Sequence, residues 1–288
     1  RKYQIPHTFT SIEDMVESSL IDAVYIASPN SLHASQSILF MQHGKHVLCE
    51  KPFASNTKEV KLMIAASEKY GVTLMEAMKP SLTPNFIAIK NKIKDIGVVR
   101  RYFSCCCQYS SRYDNLKKGV VENAFNPELS NGATMDLGVY TIFPMVVLFG
   151  RPKKISATGL KLSTGADGQG AINFEYEGMN ATVLYSKIAN SALPTEIQGE
   201  NATIVIDRIN IINDVRLIDR LTGNETIVSE PHFSDEYYFE IAEFINLIQQ
   251  GKRESEINSH QNSLITIEIV DEIRRQLGIV YPADKYSL

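Results

Sequence analysis

Charge of one sign, cysteine and long apolar runs are all scarce in this sequence of 288 residues. Lysine and arginine number 29 against 33 acidic residues, a formal net charge of -4. That balance gives nucleic acid no reason to bind, and small-molecule partners fit better. No run of 18 or more apolar residues occurs, so no membrane-spanning segment is expected. The cysteines are Cys49 and the consecutive Cys105, Cys106 and Cys107. Adjacent strand residues point to opposite faces, which is poor geometry for a disulfide framework, so a reducing, cytoplasmic setting is expected. No C-x-x-C or neighbouring histidine accompanies the run, and it reads as plain strand sequence with no metal site.

Several catalytic signatures are missing as well. There is no Walker P-loop, no G-x-S-x-G and no H-E-x-x-H, which removes the commonest NTPase, hydrolase and zinc-protease readings. The dinucleotide fingerprint G-x-G-x-x-G is absent. Gly165, Gly168 and Gly170 have the reverse spacing and lie between two predicted strands, where a hairpin turn is expected. Either the chain binds no dinucleotide, or a first βαβ unit precedes Arg1. The opening, with Arg at position 1 and the texture of a domain interior, favours the second.

What is present has a clear order. Ser11 can cap a helix carrying Ile12, Met15 and Val16 at helical spacing. Ala23–Ala27 is a short apolar run of the buried parallel-strand kind, ending in a turn cluster at Ser28–Ser31. A helix closed by Gly44, a strand at His46–Cys49, a helix from about Asn56 to Tyr70 and a strand at Val72–Met75 follow. This alternation predicts a doubly wound, Rossmann-type parallel sheet over residues 1–79. Beyond it comes a β-prone stretch, Val98–Ser110, and an apolar helix at about Thr134–Phe149. Short strands punctuated by Gly and Asn run from Ile155 to Val228, and helices are expected near Asp235–Gln250 and His260–Leu277. Residues 80–288 therefore read as an α+β domain with a large, mostly antiparallel, open-faced sheet, one face of which could join copies into a homodimer or homotetramer.

Three places carry potential chemistry. Ser28, Pro29, Asn30 and His33 lie just past the carboxyl end of a parallel strand, where ligands of open α/β sheets bind. Helix capping by Asn30 or Ser31 explains them equally well. Glu50–Lys51–Pro52 ends the neighbouring strand, and Pro52 restrains the backbone of Lys51. Asp136 and Tyr140 stand four apart on one helix face, with Gly138 leaving room for a ligand or another backbone. Read singly, Lys51 is a solvated strand-end lysine and Tyr140 a half-buried core tyrosine.

Taken in order, four motifs resemble the Gfo/Idh/MocA oxidoreductases: Asp22–His33, Gly44–Pro52, Gly132–Tyr140 and Ile279–Asp284. The resemblance extends from Tyr3 onward. It implies an NAD- or NADP-dependent enzyme moving a hydride to or from a secondary alcohol of a sugar, polyol or dihydrodiol. It also implies that a first strand and glycine-rich loop, at least about 30 residues, precede Arg1. That segment chooses between NAD and NADP in the family. Tyr140, where many members have His, is similar to the glucose–fructose oxidoreductase and dihydrodiol dehydrogenase branches, which use NADP, and leans the choice that way. Met75–Ser81 departs from the Trp and Arg-Phe of many relatives, so a different substrate contact is expected there.

The expected mechanism makes Tyr140 the proton acceptor, its pKa lowered by Lys51, which also polarises the carbonyl oxygen. Asp136 orients substrate or holds the pair. Ser28, Pro29, Asn30, His33, Glu50, Lys51 and Pro52 line the nicotinamide ribose, and a cis Lys51–Pro52 bond is implied. Two other readings remain: a non-catalytic cofactor- or sugar-sensing protein, and a reductase of a larger planar substrate with an open, apolar pocket beside Tyr140.

Overall fold

The computed structural model describes residues 3–231 and 235–285. Helix and strand alternate at first: α1 (Ile12–Glu17), β1 (Ala23–Ile26), α2 (His33–Gln42), β2 (His46–Glu50), α3 (Thr57–Tyr70) and β3 (Leu74–Ala77). Local chemistry sets the helix ends. Ser11 accepts from the Asp14 amide, Asn56 accepts from the Glu59 amide, and left-handed Gly71 closes α3. The Val72 amide still bonds to the Ser67 carbonyl as the chain leaves α3, so β3 starts two residues later than the apolar run suggests.

The three strands pair in parallel in the order β1-β2-β3. Phe40, Met41, Val60 and Met63 of α2 and α3 pack on one face, around Val47, Cys49 and Leu74. The other face presents Leu48, Met75 and Ala77, which bury Phe244 and Leu247 from a helix near the far end of the chain. Both faces are therefore covered, as a doubly wound sheet requires, but the second cover comes from distant sequence.

The remaining elements are α4 (Pro84–Lys92), β4 (Val99–Cys107), α5 (Ser111–Lys117), α6 (Val139–Phe149), β5 (Lys154–Lys161), β6 (Asp167–Glu175), β7 (Asn180–Ser186), β8 (Thr195–Gly199), β9 (Ala202–Ile206), β10 (Val215–Asp219), β11 (Glu225–Ile227), α7 (Tyr237–Gln249) and α8 (His260–Leu277). The strands form one sheet in the order β11-β10-β9-β8-β4-β7-β6-β5. Every neighbouring pair is antiparallel except β4 and β7, which run parallel. Phe143 and Val146 of α6 and Ile269 and Val270 of α8 bury one face, against Tyr102, Ile172 and Val183. The alternate residues, among them Asn173, Thr182 and Gln198, stay half-buried or exposed on the other face. The open-faced sheet is thus as expected, while α4, α5, β8 and β11 have no counterpart in the sequence reading.

Gly165 sits in the β5–β6 connection with φ 93°, the hairpin role expected, while Gly168 and Gly170 lie within β6. One segment, Pro127–Phe149, is long and apolar enough to cross a membrane by length and composition alone, although 72% of its most apolar window is buried inside the fold, where it serves as core. All four cysteines are free, with Cys106 in the core and Cys105 and Cys107 on the opposite face of β4. Among the described residues, no group of three or more His, Cys, Asp or Glu side chains could hold a metal.

Candidate active site

The carboxyl ends of β1 and β2 lie side by side because the strands pair in parallel, and the crevice at that edge is where open α/β sheets bind ligands. The chain leaves β1 through Ser28 and Pro29 and turns at Asn30 into a short 3-10 segment. His33 ties this loop to the one after β2. Its Nδ1 lies 2.9 Å from the Pro52 carbonyl oxygen and its Nε2 2.9 Å from the Ser28 carbonyl oxygen. Burial pulls the His33 pKa below its ordinary value, against those two carbonyl oxygens. The residue is only 1% exposed, and each ring nitrogen faces a carbonyl oxygen, to one of which the neutral imidazole donates. His33 is thus a brace between loops, and it shapes the crevice without presenting a nitrogen to it.

The other residues of these loops divide similarly. Asn30 Nδ2 donates to the Ser130 carbonyl oxygen at 2.9 Å, joining the β1 loop to the segment leading into α6. Glu50 accepts from the Tyr25 hydroxyl and, at 3.1 Å, from the Lys51 amide. The Lys51–Pro52 bond is cis, as the resemblance implied. Beneath it, the Phe53 amide donates at 3.0 Å to buried Glu76, whose other oxygen accepts from Ser263 at 2.5 Å. Burial raises the Glu76 pKa to about 7, against the lowering effect of those two hydrogen bonds.

Asp136 reaches the crevice from the segment between α5 and α6. Its segment, Thr134–Gly138, is a π-helical turn that runs directly into α6. Thr134 holds the turn to the sheet: its amide and hydroxyl donate to Asp167 at 2.7 and 2.6 Å, and its hydroxyl lies 2.7 Å from that of Tyr185. A Cβ at Gly138 would stand 3.1 Å from the Tyr185 ring, so the glycine admits a core aromatic side chain, not a ligand or a second backbone.

Two ammonium groups hold Asp136. Lys51 Nζ donates to Oδ1 at 2.8 Å and to the Asp136 carbonyl oxygen at 3.0 Å. Lys187, one residue beyond β7, donates to Oδ2. Its side chain is 4% exposed and its ammonium stands 5.4 Å from the Phe125 ring centroid. Lys51 Nζ also lies 4.6 Å from the centroid of the Tyr140 ring. Lys51, Asp136, Tyr140 and Lys187 share a cavity of about 260 Å³ with Gln108, Tyr109, Ser110, Arg112 and Asn210. A larger groove of about 640 Å³ lies along α7, away from these charges.

The electrostatics follow from that packing. Burial opposes the charge on Lys51, yet the Asp136 carboxylate outweighs it and the pKa sits above its ordinary value. Burial likewise opposes ionisation of Asp136, and the two lysines overcome it, holding the carboxyl well below its usual range. Tyr140 runs against expectation. Burial is the largest influence, and although Lys51 pulls the phenol down, Asp136 and Glu50 push it up, to about 12. An ammonium already matched to a carboxylate has little field left with which to acidify a phenol.

Sequence reasoning thus brought Lys51, Asp136 and Tyr140 to one cavity and missed Lys187. The only trace of Lys187 in the sequence is a lysine closing an apolar strand. Its partner lies 51 positions away, and the contact follows from the packing of the Thr134–Gly138 turn against β7.

A parallel sheet whose β2 leads into Lys51, joined to an open-faced sheet whose covering helix α6 and the turn before it bring Tyr140 and Asp136 to that lysine, defines a two-part oxidoreductase of the nucleotide-binding class. Residues 1–78 match the family described as "Oxidoreductase family, NAD-binding Rossmann fold", and residues 94–205 match "GFO/IDH/MocA C-terminal domain". Among curated relatives, a scyllo-inositol 2-dehydrogenase (NADP(+)) of Bacillus subtilis is 51% identical over 99% of this chain and 86% of its own length. A trans-1,2-dihydrobenzene-1,2-diol dehydrogenase of Danio rerio is 31% identical over 99% and 86%. A levoglucosan dehydrogenase, solved with NADH and levoglucosan, shares the fold with a TM-score of 0.84 at 20% identity, covering 96% of this chain and 84% of that one. The chain belongs to the Gfo/Idh/MocA oxidoreductase family.

Proposed function

We propose that this protein catalyses reversible, NADP- or NAD-dependent oxidation of a secondary alcohol in a small polyol, with Lys51, Asp136 and Tyr140 as its reaction centre. The observation that carries this reading is their convergence on one polar cavity at the carboxyl ends of parallel strands. The 51%-identical inositol dehydrogenase supports NADP and a cyclitol. A dihydrodiol is the second diol class among the relatives, but a lining of amide, hydroxyl and charged groups suits many hydroxyls better than an aromatic ring. The volume suits a single ring, which disfavours a larger planar substrate. The sensing alternative has no observation in its favour.

The residues at the crevice fit a nicotinamide nucleotide. The Ser28 hydroxyl is buried there without a partner among the described residues, a state that a ligand oxygen or amide relieves. Ser28, Pro29, Asn30, Glu50, Lys51 and Pro52 would hold the nicotinamide end, and His33 would fix the loops that carry them. Bound nicotinamide supplies the hydride donor or acceptor. In the reducing direction the neutral Tyr140 hydroxyl donates its proton to the carbonyl oxygen of the substrate. Lys51 spends two of its three N–H groups on Asp136 and turns the third to that same oxygen, where negative charge develops. In the oxidising direction the proton returns to the phenolate.

A division near residue 79 into cofactor and substrate halves belongs to this proposal. So does pairing of copies through the open sheet face, and so does a cytoplasmic location, which four free thiols support. The test is turnover of a panel of cyclitols, sugars and aromatic dihydrodiols with each cofactor, followed by nicotinamide absorbance. Cyclitol oxidation faster with NADP is the expected result. Tight cofactor binding with no turnover across the panel would overturn it.

A further inference from the structure

The donors of Lys187 are not all accounted for by the fold. An ammonium carries three N–H groups. Lys187 gives one to Asp136 Oδ2, and no other described residue accepts from it. Its side chain is 4% exposed, so bulk water hydrates the two remaining donors poorly. The Phe125 ring, 5.4 Å away, supplies only a π face. Lys187 lines the cavity with Lys51, Tyr140, Gln108, Arg112 and Asn210. A buried cation with unspent donors at a polar cavity is a hydrogen-bonding site for a ligand oxygen, because leaving those donors unmet costs far more than meeting them yields.

The position says which oxygen. Lys51 and Lys187 flank one carboxylate, Lys51 on Oδ1 and Lys187 on Oδ2. A substrate whose reacting oxygen sits at Lys51 and Tyr140 therefore places the next atoms of its ring beside Lys187. An adjacent hydroxyl can accept from the Lys187 ammonium and donate to the Asp136 carboxylate, satisfying both partners at once.

Resting on the polyol-oxidising reading, we infer that Lys187 is a specificity-determining residue that binds the unreacted hydroxyl of a vicinal diol, so that the enzyme requires a 1,2-diol and yields an α-hydroxyketone. The two relatives named by diol or cyclitol substrates both act on molecules with adjacent ring hydroxyls, which agrees with this requirement.

The test compares trans-cyclohexane-1,2-diol with cyclohexanol, using the full-length holoenzyme and NADP, in wild type and Lys187→Met. Wild type should prefer the diol in kcat/KM by roughly 10- to 100-fold, the range of a hydrogen bond from a charged donor. Lys187→Met should abolish that preference, lowering kcat/KM for the diol at least about tenfold more than for cyclohexanol. Lys187→Arg, which keeps the charge and donors, should restore part of the preference and serves if the Met variant fails to fold. Equal losses on both alcohols would overturn the inference, because Lys187 would then act only by holding Asp136. A wild type with no diol preference would overturn it too. Failure of wild type on every alcohol would overturn the functional reading and this inference together.

Discussion

The Lys51 ammonium grips Asp136 twice, at its carboxylate (2.8 Å) and at its own backbone carbonyl (3.0 Å). One cation thus fixes both the side chain and the π-helical turn that carries it, joining the end of β2 to the segment that leads into α6.

Removing that cation should cost rate more than stability. Lys51→Ala takes away a donor to the reacting oxygen, and Lys187 still neutralises Asp136. We expect kcat to fall by about 10²–10⁴-fold, with the melting temperature changed by only a few degrees. Parallel steady-state kinetics and thermal melts check the pair of outcomes.

The raised phenol sets the pH dependence, and its sign differs by direction. Below about pH 12 Tyr140 is neutral, the form that donates, so ketone reduction should be flat through neutrality. Alcohol oxidation needs the phenolate, whose fraction grows tenfold per pH unit, so log(kcat/KM) should climb with unit slope above neutrality. Asp136→Asn removes a carboxylate that holds the phenol up, and the oxidation profile should move to lower pH. Rate profiles in both directions, on wild type and variant, test this.

Glu76 should make stability fall as pH rises. Its folded pKa, about 7, lies above the ordinary 4.5, so its stabilising contribution is complete below pH 4.5 and is lost as pH rises through 7. The shift corresponds to on the order of 3 kcal/mol. Glu76→Gln cannot ionise and should lose less stability than wild type between pH 5 and 8, as urea titrations at each pH would show.

The brace role of His33 predicts a split of effects. His33→Ala frees the Ser28 and Pro52 carbonyl oxygens and leaves a buried void, a loss of about 2–4 kcal/mol. It should also raise KM for the cofactor more than KM for the alcohol, because the loops it joins carry the proposed nicotinamide contacts. Denaturant unfolding and the two KM values separate these effects.

Much of this was legible in the sequence because the causes are local. Ser11, Asn56 and Gly71 end helices wherever they occur, and apolar runs such as Ala23–Ile26 declare buried strands. Strand β8, Thr195–Gly199, alternates Thr and Ile with Glu and Gln and has too little apolar content to stand out; its neighbours β4 and β9 make it a strand. Lys187 was invisible for the same reason, since its partner comes from a helix 51 residues earlier. The direction of the Tyr140 shift failed for a different cause. Proximity to Lys51 is readable from motifs, but the neutralising carboxylate and the burial that outweigh it appear only in three dimensions.

The most direct test of the proposed reaction centre is single-turnover hydride transfer in Tyr140→Phe, with cofactor affinity measured by fluorescence titration on the same sample. The phenyl ring keeps the stacking with Lys51 and loses only the hydroxyl. The expected result is cofactor affinity within about threefold of wild type and hydride transfer slowed by at least about 10²-fold. Hydride transfer at the wild-type rate would contradict the assignment of Tyr140 as the proton-transfer group.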